Sequence, residues 1–173
     1  MSDTVFVNGV TLSDADWFND VDRLHYTIFG DPTDIAAVRT ALLMTGTWTT
    51  PAYNAGDFTG NVAMTWTVGA GNVQTFEYTI INKMMTVLFL IGGTAVGGTP
   101  NNTLSILIPA SKTATKGVWN GCFDADASNV GGEAGFCRVS ASGTTIDIIR
   151  PSSAIWTAGS NVTVAGQITF EIN

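Results

Sequence analysis

The stretch Met84-Met85-Thr86-Val87-Leu88-Phe89-Leu90-Ile91 decides the fold of this 173-residue chain. It is apolar almost without interruption, it is too short to cross a bilayer, and Gly92-Gly93 closes it. A run of this kind predicts a strand that is covered on both faces. Short polar turns join it to its neighbours, which favours antiparallel pairing and a sheet that grows outward from this strand.

Other strand-like runs lie on both sides of this central strand. They are rich in Val, Ile, Thr and aromatic residues, and short Gly-rich connections separate them; they span residues 61–68, 73–81, 103–108, 117–125, 135–140, 144–150 and 163–172. About eight such strands predict a mainly β fold, an antiparallel and jelly-roll-like β-sandwich with a short N-terminal arm and two short helices.

The N-terminal region carries the helix signals. Thr4–Val7 is a short apolar arm, and Ser13 with Asp16 has the spacing of a capping box. This first helix is predicted to end at Gly30, where Asp31-Pro32 begins a second helix that stops near Gly46. Both helices carry apolar stripes that they cannot bury alone, so they are expected to pack on the sandwich or against copies of themselves.

These patterns divide the chain into an arm and helical oligomerisation or attachment region, residues 1–46, and a β-sandwich domain, residues 47–173. The residues predicted to form the oligomer and attachment interface are Val5, Phe6, Trp17, Phe18, Val21, Leu24, His25, Ile28, Ile35 and Val38.

The net charge of −7 is uneven along the chain. The segment up to Gly46 carries −5 and the remainder −2. The acidic end favours a basic protein surface as partner and disfavours nucleic acid, although acids gathered at helix N-termini explain it equally well. Neither a secretory signal nor an apolar run of membrane-spanning length is present, so the chain is expected to be made in a cytoplasm and to have no membrane partner.

Little in the sequence indicates catalysis or a cofactor. The single histidine, His25, lies in a predicted helix, where packing or an interface is its commoner role. Asp124, Asp126, Ser128 and Glu133 have some likeness to a calcium loop. However, Asn129 occupies the place of the required glycine and Gly135 that of the bidentate acid. An acid-lined tight turn is therefore predicted, with weak metal binding as the alternative.

Two further residue types leave alternatives open. Cys122 and Cys137 are expected opposite each other on the two strands of a hairpin, as free thiols, with a cross-strand disulfide as the other possibility. The tryptophans are expected in the core or in interfaces, and a sugar-binding platform is the alternative; they are Trp17, Trp48, Trp66, Trp119 and Trp156.

Several segments resemble structural proteins of tailed-bacteriophage virions. At the N-terminus they are residues 3–12, Asp-Thr-Val-Phe-Val-Asn-Gly-Val-Thr-Leu, and residues 16–21, Asp-Trp-Phe-Asn-Asp-Val. Further along they are Thr65-Trp66-Thr67-Val68, residues 82–87, Val96-Gly97-Gly98-Thr99-Pro100 and residues 166–171. The resemblance implies a non-enzymatic particle component located in the virion, commonly a homotrimer, and it transfers no catalytic residue.

Two alternative functions are compatible with that resemblance. The absence of a long stem favours a trimeric capsid cement or decoration protein that stabilises the shell by binding the major capsid protein. The alternative is a tail fibre or tailspike-type receptor-binding protein, whose loops at residues 93–102, 124–132 and 151–161 would recognise a host surface glycan. A carbohydrate-active enzyme would need two of the following acids to approach each other: Asp57, Glu77, Asp124, Asp126, Asp147 and Glu171.

Overall fold

The structure is a computed structural model that describes residues 46–126, 128–151 and 154–173. Residues 46–173 form one compact unit. The predicted arm, both predicted helices and all ten predicted interface residues lie outside the described residues, so they stay predictions together with the domain division at residue 46. Among the described residues, no helix has both the length and the apolar character needed to span a membrane.

The described part of the chain is built from nine strands and three short 3-10 turns. The strands are β1 (Phe58–Gly60), β2 (Met64–Thr67), β3 (Val73–Ile81), β4 (Met84–Gly98), β5 (Thr103–Leu107), β6 (Val118–Asp126), β7 (Asn129–Val139), β8 (Thr145–Ile149) and β9 (Gly159–Glu171). The 3-10 turns are Ala55–Asp57, Ala70–Asn72 and Pro109–Ser111. Every strand pairing is antiparallel, which confirms the predicted mainly β, antiparallel fold.

The predicted central strand is β4, and it is longer than its apolar run. It continues through an irregularity in pairing at Gly92-Gly93 to Gly98. One edge of β4 pairs with β9, whereas β3 takes the first half of the other edge and β2 the second half. The inward side chains of β4, from Met85 to Ile91, are fully buried, but Leu88 and Leu90 on the outer face are only half-buried. The prediction that both faces are covered is therefore confirmed for the inner face and holds only in part for the outer face.

All nine strands belong to one hydrogen-bonded sheet, in the order β1-β5-β8-β7-β6-β9-β4-β2, with β3 also on β4. The first and last strands of this path follow each other in sequence across a short turn, in which Met64 N–H donates to Asn61 C=O, so the sheet nearly closes into a barrel. The predicted two-layer, jelly-roll-like sandwich is not confirmed.

Strands β6 to β9 form a Greek key. β6, β7 and β8 are consecutive antiparallel neighbours, and β9 returns to lie on the free side of β6. This order places β9 between β4 and β6, in the middle of the sheet. Because side chains alternate along each strand, one face of the sheet forms the core and the other faces outward. The largest fully buried side chains are those of Trp156, Phe89, Phe170, Met85, Ile91, Leu104, Ile106 and Ile108.

Candidate functional site

Three large aromatic side chains project outward from the β6–β7 hairpin. Trp119 and Phe123 lie on β6 and Phe136 on β7, and their exposed fractions are 60%, 41% and 47%. Together with Arg138 they define what we call the aromatic face. Exposed apolar groups that cluster in this way mark interaction surfaces more often than isolated ones do.

Trp119 is held in place by a row of side chains across four strands. The Arg138 guanidinium lies 5.1 Å from the centroid of the indole ring, and the Phe136 ring meets the indole edge-on at 6.4 Å. Arg138 Nε donates to Asp147 Oδ2 at 3.2 Å. Asp147 Oδ1 in turn accepts hydrogen bonds from the hydroxyls of Ser105 and Thr145 at 2.9 and 3.1 Å. The exposed indole is therefore preorganised by contacts that begin on β5 and β8.

A shallow groove lies next to Phe123. It is wide open to solvent, and its floor is made of small residues, Gly121, Ala134, Ala165 and Gly166. The register places Ala165 of β9 and Ala134 of β7 on either side of Phe123. Leu90 of β4 pairs with Ala165 and extends the apolar surface to a fourth strand.

In addition to the aromatic face, a cluster of charged residues lies beneath the end of the same hairpin. Arg150, at the end of β8, donates from Nη1 to Asp126 Oδ2 and from Nη2 to Glu133 Oε1, each at 2.6 Å. Its Nη1 also donates to Ile155 C=O, and its guanidinium lies 5.6 Å from the centroid of the Trp156 ring. These contacts attach the segment that follows β8 to the β6–β7 turn.

Asp124 is the carboxylate of this cluster with the fewest hydrogen bonds. Arg150 Nε lies 3.4 Å from Asp124 Oδ1, a purely ionic contact, and neither oxygen of this fully buried carboxylate accepts a hydrogen bond within the described residues. Burial, reinforced by the neighbouring Glu133 carboxylate and opposed by Arg150, raises the pKa of Asp124 to about 6. For Asp126, burial acts in the same upward direction, but hydrogen bonds from Ser128 and Thr157 outweigh it and lower the pKa.

The acids that resemble a calcium loop form the predicted tight turn. Asp126 Oδ1 accepts hydrogen bonds from the Ser128 N–H and hydroxyl and from the Asn129 N–H. The Arg150 guanidinium lies among the carboxylates, in the place that a cation would take. Within the described ranges no group of three metal-ligating side chains is suited to a metal ion.

The two cysteines lie on neighbouring strands, but they are not opposite each other. Cys122 pairs with Gly135 and Cys137 with Asn120, an offset of two residues. The irregular pairing between Asp124 and Asp126 and the tight turn beyond it set this register, which the spacing in sequence does not reveal. Both are free thiols, as predicted. The Cys137 sulfur, followed by burial, raises the pKa of Cys122, and the same contact lowers that of Cys137.

The remaining acids considered for catalysis have separate partners. Asp57 accepts a hydrogen bond from the Asn54 amide, Glu77 from the Thr50 hydroxyl, and Glu171 contacts Lys116 at 2.7 Å. Only Asp124 and Asp126 come together, in company with Glu133, and both are buried around Arg150.

The tryptophans divide between core and surface. Trp66 and Trp156 are buried, as predicted, whereas Trp48 and Trp119 are largely exposed and Trp17 lies outside the described residues. Sequence reasoning missed the aromatic face as a site. The alternation Trp119-Asn120-Gly121-Cys122-Phe123 carried a signal, but the face on which these aromatic residues lie depends on the sheet order.

No protein family, curated protein or solved structure matches this chain.

Proposed function

We propose that the protein is a structural component of a bacteriophage virion, a homotrimeric capsid cement or decoration protein that binds the major capsid protein and stabilises the shell. The aromatic face is the observation that carries the protein-binding role in this proposal, whereas attachment to the shell is proposed for residues 1–46. Three exposed aromatic side chains, of which Trp119 is preorganised by Arg138, have together with that arginine the composition of a protein-binding surface. The resemblance of the N-terminal segments to virion proteins supports the same class.

The proposed role is non-enzymatic, and the placement of the acids supports it. Asp124 has a pKa in the range of a catalytic acid, but its carboxylate is fully buried and cannot contact a substrate. Asp126 and Glu133 are engaged by Arg150, so the cluster supports the β6–β7 turn and the segment after β8.

The test combines solution mass with binding to shells. Light scattering of the full chain is expected to give a trimer, and the trimer is expected to co-sediment with undecorated capsids of its own phage. Deletion of residues 1–46 should leave a folded β unit that no longer binds shells. A trimer that stays in the supernatant would overturn the cement function, and a deletion variant that still binds shells would overturn the assignment of attachment to residues 5–38.

A tail fibre or tailspike-type receptor-binding protein is the second candidate. The observation that favours it is the 60% exposure of Trp119, because an indole fixed beside hydrogen-bonding side chains can also stack on a sugar ring. A glycan-array signal that Trp119→Ala removes would favour this function. We also propose that this fold is related to the jelly-roll-like sandwich, because jelly rolls are built from Greek keys such as the one formed by β6–β9.

A further inference from the structure

We propose that the protein binds a small organic cation, an ammonium group carried on an apolar ring, in a cavity where strands β1 and β3 begin. The cavity has a volume of about 270 Å³, and all the residues that line it belong to the described part of the chain. The buried residues Phe58 and Phe76 form its floor, and the more exposed segment 50–54 forms its rim. The inference goes beyond the proposed function and does not depend on it, since attachment to the shell is proposed for residues 1–46.

Hydrogen bonds hold the rim of this cavity in place. Just before the segment 50–54, the backbones of Thr49 and Tyr78 exchange two hydrogen bonds, of 2.8 and 3.0 Å. Near the other end of the segment, the Tyr53 hydroxyl donates to Val68 C=O at 2.6 Å. The rim is therefore fixed on both sides of the opening, so the cavity is preformed, as most small-molecule sites are.

The walls of the cavity determine the apolar part of the ligand. The Tyr53 ring stacks on the Phe58 ring at 6.4 Å, and the Phe76 ring lies 6.0 Å from that of Phe58. Ala70 and Val73 complete the apolar wall. An apolar cavity of about 150 Å³ is large enough for benzene. The cavity of about 270 Å³ therefore has room for an aromatic ring and a short chain, and its own aromatic rings favour such a partner.

Asp57 determines the polar part of the ligand. This half-buried residue lines the cavity, and its Oδ1 accepts a hydrogen bond from the Asn54 amide at 2.9 Å, which leaves Oδ2 for a ligand. A second acid, Glu77, accepts a hydrogen bond from the hydroxyl of the lining residue Thr50. No lysine or arginine lines the cavity, and neither acid takes part in an ion pair within the described residues. A carboxylate beside aromatic rings, without a base, attracts a cation and repels an anion.

The test measures the binding of three probes of similar size to the full chain by NMR chemical-shift titration. The probes are the cation 2-phenylethylammonium, the neutral 2-phenylethanol and the anion phenylacetate. Asp57→Asn removes the charge from the cavity, and Ala70→Phe fills the cavity from its wall. The matched controls make the same kinds of change outside the cavity: Glu171→Gln removes another acid, and Ala63→Phe enlarges another exposed alanine. Circular dichroism and thermal unfolding verify that each variant is folded.

We expect the ammonium probe to bind at least about 5-fold more tightly than the alcohol, and phenylacetate to bind most weakly, with shifts centred on the residues that line the cavity. Asp57→Asn should abolish the preference for the ammonium over the alcohol, because the amide carries no charge. A purely structural change at this position would weaken both probes alike. Ala70→Phe should remove the binding of both probes, and the two controls should keep the wild-type affinities.

Equal affinities of the wild type for the ammonium and the alcohol would overturn the inference, as would a folded Ala70→Phe variant with wild-type affinity. Tighter binding of a blocked lysine, Nα-acetyl-lysine amide, than of 2-phenylethylammonium would identify a protein side chain as the occupant and overturn the small-molecule site. Shell binding separates the inference from the proposed function. A wild type that binds the ammonium probe but never binds shells would support the cavity and overturn the cement role, and shell binding without probe binding would do the reverse.

Discussion

Arg150 is the residue on which the end of the β6–β7 hairpin depends. Three carboxylates surround its guanidinium, Trp156 lies against it, and Asp126 also accepts a hydrogen bond from the Thr157 N–H. A buried ion pair gives little net stability relative to an apolar core, but a buried charge that loses its partner is costly. Arg150 therefore acts as an internal cation whose removal leaves the carboxylates uncompensated.

Replacing Arg150 by Met tests this role. We expect Arg150→Met to lower the free energy of unfolding by about 3–5 kcal/mol, because it removes the only cation that contacts Asp124, Asp126 and Glu133 in the described chain. Urea denaturation measures the change. Lys116→Met is the control, since Lys116 is 75% exposed and its pair with Glu171 is a surface contact. Equal effects of the two substitutions would refute the role of Arg150.

Asp124 gives the unfolding free energy a defined dependence on pH. Its pKa is about 6 in the folded chain, above the ordinary value of about 3.9. The folded state therefore binds the Asp124 proton more tightly than the unfolded state does. The contribution of Asp124 to stability is fully present below about pH 4 and is lost as the pH rises through about 6.

Asp124→Asn should remove this dependence, because the amide does not ionise. The unfolding free energy of the wild type minus that of the variant should fall from about pH 4 through pH 6 and become level about one pH unit higher. Urea denaturation of both proteins across the range provides the measurement. A difference that does not change with pH, or that rises, would contradict the assignment.

At the scale of elements, the sequence predicted most of the strands but not which strands pair with each other. β3 matches its predicted range, and β4 was identified from its apolar run, because continuous or alternating apolar residues report burial directly. β7 begins at Asn129, six residues before the predicted run, because pairing with β6 extends the strand through a glycine-rich segment that lacks strand propensity. The site depended on such pairings, so the aromatic face could not be deduced from residue types alone.

Within β7, glycine is required at position 135 but not at position 131. A Cβ atom on Gly135 would lie 2.2 Å from Asp124 Oδ2, whereas one on Gly131 would meet no atom within 4 Å. We expect Gly135→Ala to destabilise the protein by about 1–3 kcal/mol through overpacking, and Gly131→Ala to change it little. Thermal unfolding of the two variants tests this, and a Gly131→Ala protein that is the less stable of the pair would contradict it.

At the scale of the whole molecule, the net negative charge determines how the self-association of the protein should respond to salt. Copies that each carry −7 repel each other. Raising the salt concentration from about 0.05 M to about 0.5 M screens the repulsion and should strengthen self-association. Sedimentation velocity at several salt concentrations measures the effect. Weaker association at high salt would indicate ionic contacts between copies.

The position of β9 in the middle of the sheet has a consequence for the synthesis of the protein. β9 contributes the buried residues Val162, Val164, Ile168 and Phe170, and it joins β4 to β6. It is also translated after every other strand of the unit, at about 5–20 residues per second. In a nascent chain, β4 is the most apolar strand, and it therefore lacks its principal pairing partner until β9 has been synthesised. Slow translation between β8 and β9 should lengthen the period in which the chain is prone to aggregate.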